Sequence, residues 1–256
     1  MSFQNNFFQL NRFIWFLVLY AILILFIGRL IFLANISDID LLLERKIDFL
    51  RALMIGVRFD FKVATIAFAP LFLAGLLSAA FPVVFGLLRK SILSYAIIVI
   101  FLVTGFSIGN YYYYLSYGNY IDVFIFGLFD DDTQAVLANA WADFPIFLSF
   151  IASVCVTMLA AVGTQKILKS SKQWRWKLKS RTAMTFIVVL TIVTYFFLAR
   201  GSIGTFPLKR YHANVSDYDA LNKVTPNALM ALNWAYGDYK KQAIFKPIAK
   251  TELKQQ

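Results

Sequence analysis

Five apolar runs divide this chain, at residues 13–34, 63–88, 91–114, 144–163 and 182–199. They are 18 to 26 residues long, and about 20 residues carry a helix across the roughly 30 Å of bilayer hydrocarbon. Hydrocarbon offers no partner to a backbone N–H or C=O, so runs of this length predict helices that close their own hydrogen bonds. The expected fold class is an all-α membrane protein with five transmembrane helices. Pro70 and Pro82 fall inside the second run and predict kinks there, which a packed membrane helix tolerates. Arg29 interrupts the first run near its far end. It reads as a cation snorkelling to the interface, with an intramembrane ion pair as the other reading.

The polar stretches carry patterns of their own. Over residues 38–55, Ile39, Leu42, Leu43, Ile47, Leu50, Leu53 and Met54 repeat at helical spacing, and Asp40, Glu44, Arg45, Asp48 and Arg51 fill the other face. That segment is too charged to span. It predicts an amphipathic helix in the interface, or one packed against the domain that follows. After Ala199 the chain turns polar, so residues 200–256 are expected to form an extracytoplasmic linker. A short helix over 226–236 is predicted within it, with Thr225 as N-cap, Pro226 at the first helical position and Gly237 as the stop. The lysine-rich residues 238–256 have no periodicity and predict a frayed tail.

Charge sets the orientation. Residues 1–12, 89–90 and 164–181 hold ten cations and no acid, whereas 115–143 hold five aspartates and no cation. Cationic loops stay in the cytoplasm. This places the N-terminus inside and, after five crossings, the C-terminal segment outside. The 35–62 segment sits outside with five cations, balanced by five acids. The net charge of +11 is therefore accounted for by a membrane, and no nucleic-acid partner is expected. The chain is 60% hydrophobic and only 15% charged, against about 25% charged in soluble domains. Cys155 is the single cysteine and lies in an apolar run, which excludes an intrachain disulfide.

Candidate chemistry is sparse. Asp130, Asp131 and Asp132 are adjacent, but neighbouring carboxylates point apart, and a hard cation needs its oxygen ligands to converge. They read better as the acidic start of a helix over 133–141. Tyr111–Tyr114 close the third run as an aromatic belt. His212 is the only histidine and lies in a loop beside cations. There is no nucleophilic triad, Walker sequence or dinucleotide fingerprint. No catalytic residue, metal ligand or cofactor is assigned.

The most informative stretch is Arg200–Arg210, where the last apolar run gives way to Gly201, Gly204, Pro207 and the cations Arg200, Lys209 and Arg210. Arg58 opens the second span from the same side, with Asp60 two residues on. Arg58, Arg200, Lys209 and Arg210 are candidates to bind an anionic phospholipid headgroup, with Asp60 holding Arg58 or Arg200 in place. Generic anchoring by interfacial cations is the plainer account. Arg200–Arg210 also resembles the segment that joins membrane and catalytic regions in the lipoteichoic-acid-synthase-like sulfatases, phosphoglycerol transferases of bacteria. Gly56–Asp60, Phe126–Thr133, and Leu221-Asn222 with Asn227–Leu232 resemble the same family. The resemblance covers the front part of that layout, with the catalytic domain absent. It implies a bacterial cytoplasmic membrane. It also implies a sulfatase-like domain encoded downstream, whose threonine nucleophile, carboxylates and histidines would use manganese or magnesium. Two functions follow: the anchoring domain, inactive alone, of a phosphoglycerol or phosphoethanolamine transferase, or a free-standing membrane scaffold or regulator.

Overall fold

A computed structural model describes residues 3–36, 39–127, 133–171 and 180–242. The protein is an all-α membrane protein. Five helices are long and apolar enough to cross a membrane, and no strand occurs among the described residues. The helices are α1 (Phe3–Ile36), α2 (Ile39–Glu44), α3 (Lys46–Ala80), α4 (Pro82–Tyr117), α5 (Thr133–Asp143), α6 (Ile146–Ser171), α7 (Arg181–Arg200), α8 (Asp219–Val224) and α9 (Ala228–Gln242), with short 3-10 turns at Val123–Phe126 and Arg210–Ala213. Asp130–Asp132, residues 172–179 of the 164–181 cationic stretch and the tail beyond Gln242 lie outside the described residues, and residues 164–171 of that stretch are the last part of α6.

Helix α1 is the centre of the bundle and packs on α3, α4 and α6, while α7 packs on the outer flank of α3. Phe13, Leu17 and Val18 of α1 meet Phe68 and Phe72 of α3 and Ile92 and Ile100 of α4 in one buried cluster. Tyr195 carries α7 onto it. Its ring stacks on Phe72 with centroids 3.9 Å apart, and its hydroxyl donates to the Thr65 carbonyl at 2.6 Å. That carbonyl is available for a second bond because a C=O has two lone pairs.

The division between the second and third spans and the course of the amphipathic stretch differ from the sequence expectation. The second and third spans are divided at Phe81 rather than at Arg89-Lys90. Phe81 is extended (φ −119°, ψ 105°), and Pro82 starts α4 instead of kinking α3. A residue before proline is pushed out of the helical region, and proline suits the first helical position because its missing N–H is not needed there. Pro70 does lie inside α3. The second difference concerns the amphipathic stretch. It breaks at Arg45 (φ −101°, ψ 40°), and its larger part runs on without interruption into the second span as α3. At about 1.5 Å per residue, a 35-residue helix is near 52 Å long. That exceeds the hydrocarbon thickness, so the first half of α3 is free to support other parts of the chain.

The amphipathic stretch, α2 with the start of α3, uses three faces differently. Ala52 is buried and Leu42 and Phe49 pack beside it, against Phe32 and Leu33 of α1. On the polar side, Ser216 donates to Asp48 at 2.7 Å. A third stripe, Leu43, Ile47, Leu50 and Met54, points outward, with Ile47 76% exposed. Such a stripe buries only against lipid or an interface. A fluorescent probe at position 43 is therefore expected to be shielded from an aqueous quencher in vesicles and quenched by lipid-borne groups at shallow depth. Full aqueous quenching would show the stripe facing water.

Beyond Arg200 the chain folds back onto this end of the bundle. Gly201 closes α7 in the left-handed region (φ +71°), donating to the Phe197 and Leu198 carbonyls. α9 then starts and ends later than predicted. Asn227, not Thr225, caps it, accepting from the Met230 N–H at 3.0 Å. Thr225 instead finishes α8, its hydroxyl donating to the Leu221 carbonyl. α9 also passes through Gly237 to Gln242. A glycine stops a helix by adopting positive φ, and among the described glycines only Gly118 and Gly201 do so. The residues after Gly237 remain packed, as Tyr239 stacks on Phe126 at 4.6 Å.

Candidate functional site: a buried clamp and a cationic groove

Where the C-terminal segment meets the bundle, α1 and α3 contribute a buried charge pair. Arg29 is 4% exposed and Asp60 fully buried. The guanidinium meets the carboxylate as a two-bond fork, at 2.5 and 2.8 Å. Its remaining donors reach the segment: Nε to the Val224 carbonyl at 3.2 Å and Nη2 to the Thr225 carbonyl at 3.3 Å. Asn227 completes the set by donating to Asp60 Oδ1 at 3.0 Å. Two buried charges are thus paired and also tied to three residues around the α8–α9 junction.

The local sequence explains why this is possible. Gly56 and Asp60 are one turn apart on α3 and share a face. Gly56 leaves the space the guanidinium fills, since a Cβ there would lie 2.5 Å from Arg29 Cζ. Asn222 stiffens the incoming loop. Its side-chain oxygen accepts from the Val215 and Ser216 N–H groups at 2.8 and 3.1 Å, and its nitrogen donates back to the Ser216 carbonyl at 2.7 Å.

The five candidate headgroup residues are not brought together. Asp60 lies in the clamp and binds Arg29, rather than Arg58 or Arg200. The reason is helical geometry: positions 58 and 60 are about 200° apart around α3 at 3.6 residues per turn, so one faces α7 when the other faces α1. Arg58 donates through Nε to the Gly201 carbonyl at 3.1 Å. Lys62, one turn further, donates to the Leu208 carbonyl at 2.8 Å. Arg200 donates to the Thr205 carbonyl. Lys209 is exposed, and its N–H donates to His212 Nδ1 at 3.1 Å.

Arg210 belongs to a different cluster. It pairs with Asp238 of α9 at 2.6 Å, donates to the Tyr120 hydroxyl at 3.3 Å and lies over the Trp234 ring. Partial burial works against its charge, but the Tyr120 and Asp238 contacts outweigh it and raise the pKa. The 115–143 loop is held by its first aspartate. Asp122 accepts from Tyr113 and Asn119, so one belt tyrosine serves as a tether. Among the described residues no three of His, Cys, Asp and Glu are placed to share a metal ion.

Sequence reasoning passed over Gly56 as a space-maker, Asn227 as a ligand of Asp60, and Asn222 as a loop clamp. The available signal was Arg29. A cation inside one apolar run and an acid at the mouth of another are a candidate pair.

Compared with known proteins, the chain matches no family model, no curated protein and no solved structure.

Proposed function

We propose that this chain is a membrane-anchoring domain that fixes an extracytoplasmic segment rigidly against lipid headgroups, serving a phosphoglycerol or phosphoethanolamine transferase of the bacterial envelope. The observation that carries the anchoring is the Arg29–Asp60–Asn227 clamp. A free linker needs no buried ion pair, whereas a fixed platform gains from one because its bonds define a single docking geometry. The transferase assignment rests on the sequence resemblance. Its support is that three of the four resembling stretches meet at the joint: Gly56 and Asp60 with Asn227 at the clamp, Asn222 in the loop beside it, and Arg58 on Gly201.

In this reading the N-terminus is cytoplasmic and the segment after Arg200 extracytoplasmic. A phosphatase fused after Gly237 is expected to be active and one fused near Lys172 inactive; the reverse pattern would refute the orientation. The transferase role is tested in cells lacking the chain. Phosphoglycerol or phosphoethanolamine substituents on envelope lipids and glycopolymers, measured by phosphorus NMR and mass spectrometry, are expected to fall and to recover when the chain is restored. Unchanged substitution would overturn the transferase role and leave a scaffold.

A further inference from the structure

A second feature lies on the other flank of α3, away from the clamp. A cavity of about 710 Å³ opens between α3, α7 and the turn after α7, within the roughly 300–1,000 Å³ that ligand pockets occupy. Phe61, Val193, Phe197 and Leu198 form apolar walls, and no acidic residue lines it. The neighbouring surface of α7 is apolar and exposed at Val189, Leu190 and Phe196, so the cavity opens among residues that face lipid.

Its polar end is small and cationic. Arg58 uses Nε on Gly201, and its two Nη atoms have no protein partner among the described residues. A guanidinium edge of this kind offers planar donors that match phosphate. Beside it, the Ser202 hydroxyl accepts from the Gly204 N–H at 3.0 Å and keeps its own proton to donate. Lys62 and Arg200 add positive charge nearby while their donors rest on backbone carbonyls. The occupant must therefore be apolar along most of its length and anionic at one end, and it must arrive from the bilayer.

We propose that this groove holds one acyl chain of an anionic glycerophospholipid, with the lipid phosphate on Arg58 Nη and Ser202 Oγ. The site excludes Asp60 and Arg210, which are occupied elsewhere, and it does not depend on the transferase reading.

The test is native mass spectrometry of the purified chain with phosphatidylglycerol or phosphatidylcholine of matched acyl length. One phosphatidylglycerol is expected to be retained per chain where phosphatidylcholine is not. Arg58→Gln removes a charged hydrogen-bonding partner and should lower that retention about tenfold. Val193→Trp fills the groove without touching a hydrogen bond and should lower retention of the same lipid, with the melting temperature confirming the fold. Arg210→Gln, on the α9 cluster, should retain lipid like the parent. Equal retention of both lipids, full retention in Val193→Trp or Arg58→Gln, or a loss in Arg210→Gln as large as in Arg58→Gln would overturn the site and indicate ordinary boundary lipid.

Discussion

Asp60→Asn is expected to destabilise the folded protein by roughly 3–5 kcal/mol, the cost of removing one partner from a buried ion pair. The substitution keeps the shape of the side chain but removes its charge and turns one of the two accepting oxygens into an NH2 donor, where Arg29 and Asn227 both donate. Arg29 then holds a buried cation with two backbone carbonyls and no counter-charge, which is the costly state. The loss should be localised. Amide exchange should accelerate first in residues 219–235, because Val224, Thr225 and Asn227 are the groups that the pair holds. Thermal unfolding in detergent reads the global effect, and hydrogen exchange reads the local one. Arg29→Met combined with Asp60→Leu should recover part of the loss, since removing both charges eliminates the unpaired one. Unchanged protection over 219–235 in Asp60→Asn would show that the pair does not hold the segment.

Gly56→Val is expected to disrupt the same site from the opposite side, with a loss of comparable size. Even a single Cβ would fall 2.5 Å from Arg29 Cζ and Nε, and valine adds two methyl groups to that collision. Elsewhere a flexible arginine would swing away cheaply. Here its movement breaks two bonds to Asp60 and two to the segment carbonyls, and it leaves Asp60 as the unpaired charge. Gly56→Ala should show a smaller loss of the same kind. The control is Gly109→Ala, a helical position where an added Cβ meets nothing within 4 Å. Helix propensity favours alanine there, so stability should hold or rise slightly. A thermal midpoint for Gly56→Val equal to that of Gly109→Ala would dismiss the space-keeping role.

The expected Thr225 cap and the Gly237 stop fail for one shared reason. Both are local signals whose outcome depends on contacts beyond the helix. Thr225 bonds back to Leu221 because α8 occupies the chain just before it. Gly237 stays helical because Tyr236 and Tyr239 on either side pack against Phe126. Pro82, by contrast, acts through its own ring and its effect on Phe81, a local constraint that ends the second run at Phe81 and not at Leu88.

What the sequence alone determined is the number of spans and the all-helical class. Both follow from a local requirement: in hydrocarbon each run must satisfy its own backbone, and length and composition decide whether it does. The tertiary structure decided the partners. Arg29 is 31 residues from Asp60 and 195 from Val224, and no periodicity relates such positions. Which way Asp60 faces depends on the rotation of α3 against α1, and the packing of Phe59, Phe68 and Phe72 sets that rotation. A buried charge declares from the sequence that it needs a partner, because burial without one is too costly. Only the folded arrangement of three distant segments supplies which partner it has.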